Sequence, residues 1–172
     1  IYPFLSRQWH YYNDGTASSA LSGCDINGFP VWTSYTTGRE DVIVSVVDGG
    51  VDWSHEDIAA NMWHNPEHHG NGQYGYNFCR NNYLVTADNH GTHVAGTIAA
   101  VNNNGVGVCG IAGGDAEKNV PGVRIMSCQI FEGEDGSGSG ATAIKWGADH
   151  GAVISQNSWG YKTLETTPQS VK

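Results

Sequence analysis

Several chemistries are missing from this sequence. It has no Cys-x-x-Cys pair, the usual spacing of a thiolate zinc site. It has no Gly-x-Ser-x-Gly stretch, the turn that lifts a serine nucleophile above an α/β sheet. No apolar run approaches the roughly 20 residues that a membrane span needs. No basic-then-apolar pattern follows Ile1, so the targeting segment of an exported form is expected to be already gone. Basic residues are scarce: eight Lys and Arg stand against 17 Asp and Glu, a formal net charge of -9. That balance argues against nucleic acid as a partner, because a phosphate backbone calls for a basic face, and it suits bound cations. Cysteine is limited to four residues. Cys109 and Cys128 sit in apolar stretches and read as small buried hydrophobes. Cys24 and Cys79 lie in polar segments, and whether they form one disulfide stays open, since pairing does not follow from sequence.

What is present fits a globular domain or most of one, with 172 residues and 39% of them hydrophobic, enough to bury a core. Glycine, at 24 residues, has about twice its usual share, which predicts tight turns and close backbone approaches. Residues 1–40 read as an irregular arm with short helical pieces. Val42 to Val47 is a nearly continuous β-branched run, as expected of a strand buried on both faces of a parallel sheet. Residues 61–82, rich in Asn, Gly and His, read as a long surface loop.

The small residues of Gly91 to Val101 predict a closely packed helix, and Val123 to Phe131 a second strand. A Gly/Ser loop from Glu132 to Gly140, a helix from Ala141 to His150 and a strand from Ala152 to Ser155 follow. This alternation implies an α/β fold, a parallel sheet flanked by helices. No internal repeat and no dividing linker occur. Thr167 and Pro168 make a helix start, yet only Gln169 to Lys172 follow, fewer residues than a stable helix needs. The chain is therefore expected to stop inside an element, leaving the fold incomplete at its C-terminus.

Chemistry concentrates in two motifs. Asp48 closes the first strand, and functional groups of open parallel sheets gather beyond the carboxyl ends of strands. His90 opens the Gly91 helix, where the positive end of the helix dipole disfavours imidazolium. A carboxylate that holds one ring nitrogen leaves the other free to accept a proton. Other readings of the same residues stay open. His93, three residues on, competes for the base role or is a buried structural histidine, and His90 with His93 reads as a metal pair lacking a third ligand. His64, His68 and His69 cluster in the long loop as solvated residues, with metal binding the lesser reading.

Val46-Val47-Asp48-Gly49-Gly50-Val51, His90-Gly91-Thr92-His93-Val94-Ala95-Gly96-Thr97 and Asn157-Ser158-Trp159-Gly160 together resemble the Asp, His and substrate-cleft motifs of the subtilisin-like serine proteases, in family order. The resemblance runs from about Gln8 to the C-terminus. It implies that residues 1–172 are the N-terminal portion of one subtilisin-like catalytic domain, in which Asp48 orients His90 and His90 is the general base. The family's Gly-Thr-Ser-Met-Ala stretch is absent, so the nucleophile is expected from a missing C-terminal part, in the same polypeptide or as a second chain. Gly49 departs from the Ser, Thr or Asp that usually follows the catalytic Asp, removing a side chain that would steady the carboxylate.

The resemblance also implies that Gly136, Ser137 and Gly138 face Ser158, Trp159 and Gly160 across a cleft gripping a peptide or protein substrate as an added strand. From the residues alone, 136–140 is equally a flexible loop and Trp159 equally a core aromatic. Val101 to Val108 is similar to a family loop that wraps calcium. That match implies carbonyls of Val101, Val106 and Val108 with the side chains of Asn104, Gln8 and Asp57, Asn103 replacing Asn104 if the register differs by one. An ordinary Asn/Gly turn is the competing reading. A secreted or cell-surface hydrolase is the expectation. The rivals are a non-catalytic peptide-binding module that keeps the cleft, and a flavodoxin-like signalling domain with Asp48 as phosphate acceptor.

Overall fold

The computed structural model describes residues 3–16, 19–133 and 136–160; the helix start at Thr167 and Pro168 lies outside them. In chain order the elements are α1 (Gly28–Ser34), β1 (Ile43–Asp48), β2 (Gly75–Asn77), α2 (Asn89–Ala99), β3 (Gly114–Asp115), β4 (Val120–Pro121), β5 (Arg124–Gln129), β6 (Phe131–Glu132), β7 (Gly136–Ser137), α3 (Gly140–Asp149) and β8 (Ile154–Asn157), with short 3-10 turns between them. The chain folds into two compact units, each assembled from three separate stretches.

The larger unit comprises Val42–Ser54, Met62–Ala95 and Arg124–Lys172. Its sheet has the order β2-β5-β1-β8, and each neighbouring pair is parallel. The apolar runs of β1 and β5 bury every residue after the first, as a strand covered on both faces requires. Register sets Val47 beside Cys128 and Asn157. Helix α3 starts at Ser139, whose hydroxyl accepts the Thr142 N–H, and packs on β1 and β5. Gly147 allows that approach, because a Cβ there would lie 2.9 Å from that of Ser45. Val47, Trp63, Phe78, Met126, Cys128, Ile130 and Ala143 form the core, with Trp146 and Trp159 packed against it.

Two expectations change here. Residues 61–82 are not a plain surface loop: Met62 and Asn77 are buried and β2 pairs with β5. The strand exists because Gly75 lets it in, since a Cβ at that position would meet the Ser127 carbonyl at 1.8 Å. The Gly/Ser stretch after Glu132 is not wholly a loop either, as β7 pairs antiparallel with β6. Elsewhere only the ends move: the first helix of small residues starts at Asn89, and the last strand starts at Ile154.

The smaller unit comprises Ile1–Asp41, His55–Asn61 and Gly96–Val123. Its N-terminal stretch has little regular structure, as expected, yet it supplies core. Tyr11 is 1% exposed, donates its hydroxyl to the Cys109 carbonyl at 3.0 Å and packs on Trp32. Buried Asn61 donates to the carbonyls of Ala99 and Gly113 and accepts from the Gly122 N–H, satisfying its amide inside an apolar setting. All four cysteines are free, Cys109 and Cys128 buried. Burial pushes the Cys109 thiol up to about 12. No helix among the described residues is long and apolar enough to cross a membrane.

Candidate active site

Asp48 sits at the carboxyl end of β1 and is 3% exposed. Its Oδ1 accepts the Gly49 N–H at 2.7 Å and lies 2.8 Å from His90 Nδ1. With the proton on Nδ1, the ring donates to the carboxylate and Nε2 keeps its lone pair. His90 projects from the first turn of α2, and its side chain is 61% exposed. Glycines make this approach possible. A Cβ on Gly91 would lie 2.1 Å from the Gly50 carbonyl, and one on Gly50, at φ +112°, would lie 2.1 Å from the Thr86 carbonyl. The turn before α2 therefore rests directly on the backbone that follows β1.

The contact with Asp48, first by hydrogen bond and then by charge, raises the His90 pKa above its ordinary value, and Asp88 adds to the rise. This corrects the expectation that the helix dipole keeps the ring neutral. A carboxylate at hydrogen-bond distance outweighs the partial charge of a helix end.

Around the pair opens a cleft of about 370 Å3, bordered by Asp88, Gln129, Glu132, Ser158 and Trp159 as well as Asp48 and His90. Trp159 does two things at once. It packs against the core and borders the cleft, while its indole N–H donates to the Val47 carbonyl at 3.0 Å. Gly136, Ser137 and Gly138 are not among the lining residues. Gly136 and Ser137 form β7, which pairs with the Phe131 and Glu132 that do line the cleft, and Gly138 donates its N–H to the Ile130 carbonyl. Gly160 lies just past Trp159 without bordering the cleft.

His93 is exposed rather than a buried structural histidine, and it does not line the cleft. Among the described residues, three or more metal-ligating side chains converge only at Asp48, Asp88 and His90. The histidines at 64, 68 and 69 do not converge: His64 packs edge-on to Tyr74, and His68 stacks on Tyr83. Thr86, Asp88, Gln129, Phe131 and Glu132 line the cleft, and no sequence motif singles them out. Only Asp88 carries a signal there, as an Asp in the N-cap region of the His90 helix.

In the smaller unit, Asp57 is 2% exposed. Its carboxylate accepts the Asn104 amide and the Val108 N–H, both at 2.8 Å. Asn104 Oδ1 accepts the Val106 N–H, and Gln8 Oε1 the Cys109 N–H. Burial pushes the Asp57 carboxyl above the usual carboxylate range, against the donors that lower it. A Cβ on Gly107 would lie 2.1 Å from Asp57 Oδ2, so the loop closes tightly over this carboxylate. Asn103 turns instead to Asp115, at 3.0 Å. Asn104 thus turns its NH2 toward the carboxylate and its oxygen toward Val106, while the donor types of the set, carboxylate, amide and backbone oxygens, are those a hard cation takes.

A buried strand-end carboxylate holding an exposed imidazole, beyond the carboxyl end of a parallel strand, can fix that ring in one tautomer. The chain belongs to the Subtilase family, which it matches over residues 39–172. It is 34% identical over 161 residues to the PC3-like endoprotease variant B of Hydra vulgaris, covering 93% of this chain and 21% of that one. It is 35% identical over 155 residues to the Halolysin-like extracellular serine protease Nep of Natrialba magadii, covering 86% and 26%. The structure resembles that of fervidolysin from Fervidobacterium pennivorans, a keratinolytic enzyme related to subtilisin, with a TM-score of 0.53 and 32% identity over 77% of this chain and 19% of that one. The chain thus spans about a fifth to a quarter of the length of these curated relatives.

Proposed function

We propose that the whole protein is a secreted or cell-surface serine endopeptidase, to which this chain contributes Asp48 and His90. The observation that carries the reading is the 2.8 Å contact between their side chains. In this reading a serine hydroxyl from the part of the protein beyond this chain attacks the scissile carbonyl carbon as His90 Nε2 takes its proton. His90 passes that proton to the departing amine, leaving an acyl-enzyme. Water, deprotonated by the same nitrogen, then releases the acid. Asp48 holds Nδ1–H throughout and stabilises the imidazolium. The peptide lies extended between Gly136-Ser137-Gly138 and Ser158-Trp159-Gly160, paired through backbone. An extracytoplasmic location is supported by the extracellular protease of Natrialba among the relatives.

The test is peptide hydrolysis by the full-length protein with a serine-directed covalent inhibitor. Hydrolysis abolished by the inhibitor supports the reading. Peptide binding without cleavage overturns it in favour of a peptide-binding module.

A pH dependence follows from the sign of the His90 shift. The base works only as neutral imidazole, and Asp48 raises its pKa. The acid limb of kcat/KM in the full-length protein is therefore expected above the ~6.5 of an unperturbed histidine, with activity falling as pH drops through it. A profile with its limb below that value contradicts the assigned pair.

We also propose a structural calcium held by Asp57, Asn104, Gln8 and the carbonyls of Val101, Val106 and Val108. Bound there, the ion would neutralise the buried carboxylate and pin the loop. At a free concentration 100 times its Kd, such an ion adds about 2.7 kcal/mol of stability. Chelation is expected to lower the thermal midpoint of the full-length protein, restored by calcium, and Asp57→Asn to abolish the difference. An unchanged midpoint overturns the site.

A further inference from the structure

Resting on the endopeptidase reading above, we infer that Asp88 is a positioning residue for His90, its carboxylate occupying the space that a side chain at position 49 would fill. An ideal Cβ on Gly49 would lie 2.7 Å from both Cγ and Oδ2 of Asp88, and 3.1 Å from its Cβ. No real side chain fits there unless Asp88 leaves. Asp88 is not free to leave, because Oδ2 accepts the Gly91 N–H at 2.9 Å and its carbonyl accepts the Thr92 N–H at 3.0 Å. The Gly91 N–H is one that the helix cannot satisfy internally, and the Thr92 bond is the first of the helix's own ladder. His90 lies between Asp88 and Gly91 in sequence, inside the turn that these bonds close. Its ring direction is fixed from one end by Asp48 and from the backbone side by Asp88.

The arrangement gives the missing side chain at 49 a physical reason. A Cβ at 49 would point into Asp88, and among the described residues Asp48 Oδ2 is buried without a hydrogen-bond partner. What the chain has instead is a second carboxylate seated against the Cα of Gly49 and holding the helix that carries the base. Gly49 and Asp88 therefore form one unit, in which neither residue can change size alone.

The charges around the ring come from three elements. Asp48 ends β1, Asp88 precedes α2, and Glu132 on β6 borders the same cleft, where it is paired with Arg80. Asp48 touches the ring directly, and the nearby Asp88 charge also favours the protonated ring. Removing the Asp88 charge while keeping its shape separates its electrostatic role from its packing.

Two measurements on the full-length protein test this. Asp88→Asn preserves volume and an equally good helix cap, so the thermal midpoint is expected to hold. The NMR titration of the His90 ring should move to lower pH, and the acid limb of kcat/KM should move with it. Gly49→Ala is expected to lower kcat at least tenfold in the native background and less than twofold in an Asp88→Ala background, the non-additivity of residues that share one space. An unmoved His90 titration together with additive effects of the two alanines overturns the inference. A full-length protein without peptidase activity sinks the endopeptidase reading instead. The ring titration and the same cycle read through thermal midpoints still decide whether Asp88 positions His90.

Discussion

On the endopeptidase reading, His90→Ala in the full-length protein is expected to lower kcat by on the order of 10^6 and Asp48→Asn by on the order of 10^4, with KM little changed. Both magnitudes are carried over from triad replacements in other serine proteases, one of them a member of this same family. The inequality follows from the geometry. Without the imidazole, nothing takes the serine proton, and the remaining catalysis rests on binding and oxyanion stabilisation. With Asn at 48, the ring stays but its proton goes to the wrong nitrogen. Gly49 N–H and His90 Nδ1 meet the same oxygen, Asp48 Oδ1, at 2.7 and 2.8 Å, so an Asn that places its NH2 there gives up the Gly49 bond and faces the ring with a donor. A ring nitrogen facing a donor must act as acceptor, which moves the proton to Nε2 and disables the base. Single-turnover and steady-state kinetics with a peptide substrate check both variants. A loss smaller than about 100-fold for His90→Ala contradicts its role.

The second large effect is complete. The 172-residue chain on its own is expected to hydrolyse no peptide, and mixing it with the remainder of the protein is expected to restore turnover. The sequence carries no Gly-Thr-Ser motif to supply a nucleophile. Among the described residues, β8 has β1 as its one strand neighbour, and Val153 just before it and Ile154, its first residue, are 70% and 50% exposed. Apolar side chains on a strand with one free edge are a surface suited to further chain. Hydrolysis by the rigorously purified chain alone overturns the assignment. Turnover that appears only on mixing, and is lost with His90→Ala, supports it.

The central strands are legible in the sequence because β1 sits in a nearly continuous β-branched run and β5 in a mainly apolar stretch from Val123 to Phe131. The helix of small residues is legible too, apart from its first turn. Strand β2 is not, since Gly75, Tyr76 and Asn77 sit inside a stretch rich in Asn, Gly and His that argues for loop. What makes it a strand is room beside Ser127, a property of the partner and not of the segment. At the site, the meeting of Asp48 and His90 can be read from two motifs far apart in sequence. Their electrostatics cannot. The helix-end argument considers one element, and the contact that reverses its sign comes from another. Asp88 can be read from sequence as a helix cap and no more, because its further significance lies against Gly49, where the informative feature is a missing side chain. Gln129, Phe131 and Glu132 border the cleft because β5 and β6 deliver them there, and no motif marks that delivery.

Trp159 joins two tasks that proteases often separate. The ring forming part of the cleft wall is bonded to the carbonyl of Val47, the residue just before Asp48. A larger or smaller group at 159 would remould the recognition surface and loosen the anchorage of the carboxylate in one stroke. On the endopeptidase reading, Trp159 couples recognition to the Asp48 strand, and Phe131 of β6, edge-on to the same ring, carries that coupling across to the β6–β7 ribbon.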